Sequence, residues 1–342
     1  MKKILVWVLA CLLLCGCAKN EEYVDRSFVA MDTIIDIKIS DSELDEEAII
    51  AECEKLITDI EGVISKTVAD SDTAIANTDI DLMLDVSGVF SELADRSSEL
   101  SELTDGSFDI TVGVLKELWE NSAKEGKAPN AEEIASCLEN VGYNGISIED
   151  GNLKKSSKDI RIDFGAIGKG FAAEKVCELL REKGVSGAIL SFGGNVALVG
   201  AKKNGEPYKV GIKDPKNPDD VIGYLDLEGG YISVSGDYER YIEIGETKYN
   251  HIIDPKRGYP VSNGLHSVSV VSDDGALSDA LSTALFVMGE EASFEFYNSG
   301  VCDFEAVFVT DDGIFATAGL EGSFSAKKGV TVTFGGAKEN EN

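Results

Sequence analysis

The sequence predicts an α+β protein built mostly from antiparallel sheets layered with helices. Three features predict it. Amphipathic helical runs dominate the first half, short strand runs follow one another from Gly187 onward, and a strand, glycine loop and helix junction at 161–183 joins the two regions. Neighbouring strands with the helices set apart argue against a repeating βαβ sheet, in which the two alternate. The 342 residues suffice for one large domain or two interlocked subdomains, and no low-complexity linker or short repeat divides them.

In chain order, Lys2 and Lys3 precede an apolar run at 4–14. That run is too short for the roughly 20-residue helix that spans a bilayer and reads as a secretion leader. FVAMDT at 28–33 is an apolar stretch ending in a small polar turn, with Met31 able to lie against a flat ring. The spacing of Leu44, Ile49, Leu56, Ile60, Val63 and Ile64 predicts a helix over 42–64, opened by a Ser42/Asp45 capping pattern. Further helices are expected over 82–103 and 131–140, and strands at 146–148 and 160–163 around a polar turn at 149–152. FAAEKVCELLREKG then has helical periodicity. Strands follow at 188–192, 196–199, 208–212, 223–226, 231–234, 238–244 and 265–271. Helices at 277–288 and 292–298 and closing strands near 306–310 and 330–333 complete the chain.

Lys and Arg total 31 against 62 Asp and Glu, a formal charge of −31; loss of Lys2 and Lys3 with the leader makes it −33. Such a surface disfavours nucleic acid, whose phosphates need a basic face. It also means that an anionic ligand needs local help from a lysine, a helix end or a metal ion. Cys53, Cys137, Cys177 and Cys302 lack CxxC or CxxH spacing, which argues against zinc; the first three sit in helical patterns as small core residues, and a disulfide among the four stays open.

Three runs carry chemistry. In RIDFGAIGKG at 161–170 a strand breaks into a loop with three glycines that runs into a helix. Helix-start N–H groups, the positive end of the helix dipole and Lys169 make an anion site; a tight connection with a solvent-facing lysine fits as well. In SDALSTALFVMG at 278–289, Asp279 and Thr283 lie four residues apart and share a helix face. Two hard oxygens suit Mg²⁺, which keeps several waters and bridges to substrate phosphates; the same Asp could simply complement the helix dipole. In NHIIDPKRGYPV at 250–261, His251 meets a rigid turn built by Asp254, Pro255 and Gly258. It is placed to move a proton near neutral pH, or else is a hydrogen-bonded strand residue. His266, on an alternating strand, is given no role. Ser191–Asn195 (SFGGN) adds a glycine turn with an amide side chain.

Together FVAMDT, SFDITVG, DFGAIGKGFAAEKV, SFGGN, HIIDPKRGYPV and SDALSTALFVMG, in that order, resemble the ApbE-type FAD:protein FMN transferases over about residues 25–335. The resemblance implies an ApbE-like, T-fold-related architecture over 26–336, with a polar tail at 337–342. It implies an enzyme that transfers FMN from FAD to a Thr or Ser hydroxyl of a partner protein and releases AMP. Met31, Ser107, Phe108, Asp109, Asp163, Lys169 and Ile253 would contact FAD. Asp279, Thr283 and the main-chain oxygen of Ala166 would hold Mg²⁺, and His251 would be the base. Partners would be FAD and extracytoplasmic redox proteins with an accessible Thr or Ser. An FAD pyrophosphatase giving FMN and AMP would use the same residues, and a non-catalytic flavin-binding lipoprotein is a third possibility. A dinucleotide-dependent oxidoreductase is excluded, because the loop reads GxxGxG and the next strand ends in SFGG with no acid. The family commonly has Gly at Asp32, Leu at Phe164, Ala at Gly168, Thr at Arg257, and an aromatic residue where this chain reads ISKTVADSDTAIAN. Finally, Leu14-Cys15-Gly16-Cys17 is similar to a bacterial lipobox. That implies a signal peptide at 1–16, lipidation of Cys17, a tether over 17–25, and a lipid anchor at the extracytoplasmic face of the cell membrane.

Overall fold

The structure, a computed structural model, describes residues 23–40, 44–78, 81–202, 204–238 and 240–335. The leader, Cys17, Ser42 and the 337–342 tail lie outside the described residues. The chain enters its main sheet through a hairpin, β1 (Val24–Ala30) and β2 (Thr33–Ile39). Its two turn residues, Met31 and Asp32, take φ 53° and 58°, a pair of left-handed residues whose twist matches that of the flanking strands. The helical half follows: α1 (Glu46–Ile64), α2 (Asp72–Thr78), the short strand β3 (Met83–Asp85), α3 (Gly88–Leu103), α4 (Gly113–Glu125) and α5 (Ala131–Leu138). A hairpin of β4 (Ile146–Glu149) and β5 (Asn152–Lys155) pairs with β3, and the glycine loop leads into α6 (Gly168–Glu182).

The strand-rich half holds β6 (Gly187–Phe192), β7 (Asn195–Gly200), β8 (Tyr208–Asp214), β9 (Asn217–Leu227), β10 (Gly230–Gly236), β11 (Tyr241–Ile244), β12 (Thr247–Asn250) and β13 (Leu265–Ser272). After α7 (Gly275–Met288) and α8 (Glu290–Ser299) come β14 (Glu305–Thr310), β15 (Ile314–Ala316), β16 (Phe324–Ala326) and β17 (Val332–Phe334). The main sheet has nine strands in the order β1-β2-β6-β7-β10-β13-β14-β15-β17, antiparallel throughout except for β15 against β17. A three-stranded sheet, β16-β9-β8, forms a second layer. The α+β class and the mostly antiparallel sheets are as expected.

Alternation along the strands separates the layers. On β14, Ala306 and Phe308 join the apolar cluster of α7 and α8, whereas Val307 and Val309 join Leu225 and Phe324 of the small sheet. On the helical side Ile57, Phe90, Phe171 and Val176 pack on Ile37 and Leu190 of the main sheet. The axes of α6 and α7 approach closely at their starts: a Cβ on Gly170 would stand 2.1 Å from the carbonyl oxygen of Gly275. Only glycine permits that contact.

The differences from the sequence reading have local causes. α1 begins at Glu46, because Asp45 is the N-cap and accepts from the Ala48 N–H. The expected helix over 82–103 starts at Gly88 behind the Ser87 N-cap, and the preceding residues form β3. The partner of β4 is β5 and not 160–163: Asp150 and Gly151 take φ 51° and 76° and close a two-residue hairpin. Residue 161 makes one isolated parallel bridge, to Val112. The expected strand over 238–244 is interrupted after β10, and β11 turns back through Gly245 (φ 63°) into β12. α2 and α4 are helices beyond those that the sequence reading predicts. All four described cysteines are free thiols, with Cys53 and Cys177 buried.

Candidate active site

Segments from across the fold converge on one cleft, which α4 and β10 also line through Lys116 and Ser235. The loop after α3 brings Ser107, Phe108 and Asp109, and the glycine loop brings Asp163, Ala166 and Lys169. The turn after β12 brings His251 and Ile253, and α7 brings Asp279 and Thr283. Met31 stands behind the start of α6, its methyl 3.7 Å from where a Gly168 Cβ would lie, and its N–H donates to Glu61 Oε1 at 2.8 Å.

Asp279 is 3 % exposed, and its carboxylate is held from two directions. Oδ2 accepts the Gly170 N–H at 2.8 Å and Oδ1 accepts from Asn195 Nδ2 at 2.8 Å, with Lys169 Nζ 3.9 Å away. The Gly170 N–H at the helix start, expected to meet an external anion, is therefore taken by the chain's own carboxylate. The Gly168 N–H is also occupied, donating to Phe164 O at 2.8 Å. Lys169, in the first turn of α6, is the cation that this segment brings to the cleft. Ser235 fixes Thr283: their hydroxyl oxygens lie 3.1 Å apart, and Ser235 also meets the Ser282 hydroxyl at 2.9 Å.

Asp163 is 5 % exposed and sits between two ammonium groups. Lys116 Nζ is 3.0 Å from Oδ1, Lys66 Nζ is 3.0 Å from Oδ2, and the Gly165 N–H donates to Oδ1 at 2.8 Å. Burial alone would raise this carboxyl, but the two lysines outweigh it and hold it well below the usual carboxylate range. Asp109 lacks such neighbours. Burial raises its carboxyl against the lowering effect of the bonds from the Thr111 hydroxyl and N–H, which make it a turn-former as well as part of the wall.

His251 has its Nδ1 3.0 Å from the carbonyl oxygen of Arg240. A carbonyl only accepts, so Nδ1 carries the proton and Nε2 is left with its lone pair. Burial first, and the positive charge of Lys116 next, push the imidazole down to about 4, so it is neutral at physiological pH. Ile253 is buried in the apolar cluster of Leu115, Trp119 and Ile134 and anchors the turn. The turn is closed by Asp254, whose Oδ1 accepts from the N–H groups of Lys256 and Arg257. His266, by contrast, lies between Asp237 and Asp311, each 3.0 Å from one ring nitrogen.

The sequence gives little sign of Lys66, Lys116, Ser235 or the Arg240 carbonyl. Lys116 was within reach of pattern reading, since Val112, Leu115 and Trp119 repeat at helical spacing before Gly126; its pairing with Asp163, 47 residues away, is set by the tertiary fold.

Comparison with known proteins identifies the family. A model of the ApbE family matches residues 31–308. The FAD:protein FMN transferase of Vibrio cholerae is 30 % identical over 319 residues, covering 92 % of this chain and 96 % of that protein. Among solved structures, the ApbE protein from Thermotoga maritima is 29 % identical, with TM-score 0.77 over 90 % of this chain and 97 % of that one. The apo form of the Pseudomonas stutzeri flavinyl transferase ApbE is 26 % identical, with TM-score 0.78 over 90 % of this chain and 98 % of that one. The chain belongs to the ApbE family.

Proposed function

We propose that this protein transfers FMN from FAD to a Thr or Ser hydroxyl of a partner protein, releasing AMP. The observation that carries the reading is the meeting of a neutral, single-tautomer His251 with Lys169, Asp279 and Thr283 in one cleft. The acceptor oxygen attacks the phosphorus of the FMN half, the P–O bond to the AMP half breaks, and the hydroxyl proton passes to His251 Nε2. Lys169 offsets charge on the phosphoryl oxygens as AMP departs with the bonding pair.

The donor chemistry of the site fits Mg²⁺. Asp279 has two carboxylate oxygens that each accept a single protein hydrogen bond, Thr283 offers a hydroxyl, and Ala166 offers a main-chain carbonyl. Charge argues the same way. The cleft wall carries the carboxylates of Asp109, Asp163 and Asp279 against the ammonium groups of Lys116 and Lys169, with Lys66 behind Asp163, so a further cation would offset the charge that a diphosphate brings in. When bound, the ion supplies Lewis-acid neutralisation of the phosphates. In this reading Asn195 and Ser235 aim the two side-chain ligands, and Ser107, Phe108, Asp109, Asp163 and Ile253 form the wall against the nucleotide, with Met31 behind it.

The leader and Cys17 support a lipid-anchored position outside the cell membrane, with extracytoplasmic redox proteins as acceptors; no helix among the described residues is long and apolar enough to cross a membrane. The test is incubation with FAD, Mg²⁺ and a Thr-bearing acceptor, followed by in-gel flavin fluorescence and intact mass. Transfer leaves FMN on the acceptor. Free FMN with an unmodified acceptor would make the protein a pyrophosphatase, and intact FAD would remove catalysis from the account.

A further inference from the structure

We propose that Lys116 is a phosphate-binding residue of the cleft, gripping the diphosphate bridge of the dinucleotide together with Lys169; this rests on the flavin-transfer reading above. Asp163 is a single buried carboxylate with two ammonium partners at equal distance, 3.0 Å each. The two lysines are not equivalent. Lys66 has a second carboxylate, Glu120 Oε1 at 3.3 Å, and stands outside the cleft wall. Among the described residues the ion pair of Lys116 is with Asp163, and its side chain, 22 % exposed, lines the cleft.

An ammonium has three N–H donors. One is spent on Asp163, leaving donors for an anion that enters the cleft. Asp163 then has a definite task. The fixed carboxylate behind it, 3.0 Å away, holds the ammonium in place facing the cleft. The charge of Lys116 also reaches His251, where among charged neighbours it depresses the imidazole most, ahead of Lys169. Lys116, Lys169 and His251 line the same cleft.

Lys116→Met and Lys66→Met each remove one partner of Asp163, so the second variant controls for the first. FAD affinity is measured by calorimetry in Mg²⁺ at two salt concentrations, with thermal melts of each variant. Phosphate binding predicts that Lys116→Met weakens FAD by about tenfold or more and flattens the salt dependence. It also predicts that Lys116→Arg recovers most of the affinity and that Lys66→Met stays within about threefold of the parent. Should Lys116→Met not fold, Lys116→Gln is read against Lys66→Gln in the same way. Equal effects of the two methionine variants, or full affinity in Lys116→Met, overturn the proposal while leaving flavin transfer standing. A parent protein with no affinity for FAD defeats the functional reading itself.

Discussion

The suitability of His251 for the proposed role of base comes from two neighbours. The Arg240 carbonyl fixes the tautomer, and the charge of Lys116 adds to burial in keeping the ring neutral. His251→Ala should reduce flavin transfer by roughly 10²–10⁴-fold while FAD affinity changes little, because the ring acts on the acceptor proton and not on the nucleotide; single-turnover transfer and a binding titration together check this. The pH dependence follows from the same residue. With the folded imidazole near 4 against an ordinary 6.5, kcat/KM should stay level as pH falls through 6.5 and drop only toward 4. Stability has the same sign. Below 6.5 the unfolded chain takes up a proton that the folded one refuses, so folding is progressively disfavoured between 6.5 and 4. His251→Gln should remove that part of the slope in thermal melts across the window. An unchanged slope would mean that the ring is not held neutral.

At the scale of elements, the site depends on how closely α6 and α7 approach. Gly170→Ala would put a Cβ 2.1 Å from the Gly275 carbonyl oxygen and 2.6 Å from Asp279 Cβ. The helices must then separate and the Gly170–Asp279 bond is lost. We expect a cost of about 1–3 kcal/mol, together with weakened FAD binding. Gly62, inside α1, has nothing within 4 Å of its added Cβ, and Gly62→Ala should stabilise by about 0.5–1 kcal/mol without altering activity. Chemical denaturation of the two variants reports both signs.

Sequence reading worked at this scale where one segment holds its own information. α1, α3, α6, α7 and most strands follow from apolar period, and the cleft residues stand beside glycine turns that mark them. It failed where the signal was short or distributed. α2 is seven residues long, and the Asp150-Gly151 hairpin was read only as a polar turn. The Asp163–Lys66–Lys116 cluster joins three distant segments.

For the whole molecule, the governing fact is an acidic chain, −31 in total, that must attract an anionic dinucleotide. Its cleft wall carries Asp109, Asp163 and Asp279 against Lys116 and Lys169, so in the proposed function a divalent ion held at Asp279 and Thr283 would add to the affinity that the lysines supply. A lipid anchor at Cys17, as proposed, would keep this acidic body close to membrane-associated acceptors, and Cys17→Ala should then move the protein from the membrane fraction to the soluble one. The most direct measurement is FAD affinity by calorimetry with Mg²⁺ and with chelator, for the parent and for Asp279→Ala. The account predicts at least about tenfold tighter binding with the metal in the parent and no metal dependence in the variant. Equal affinity with and without Mg²⁺ in the parent would contradict it.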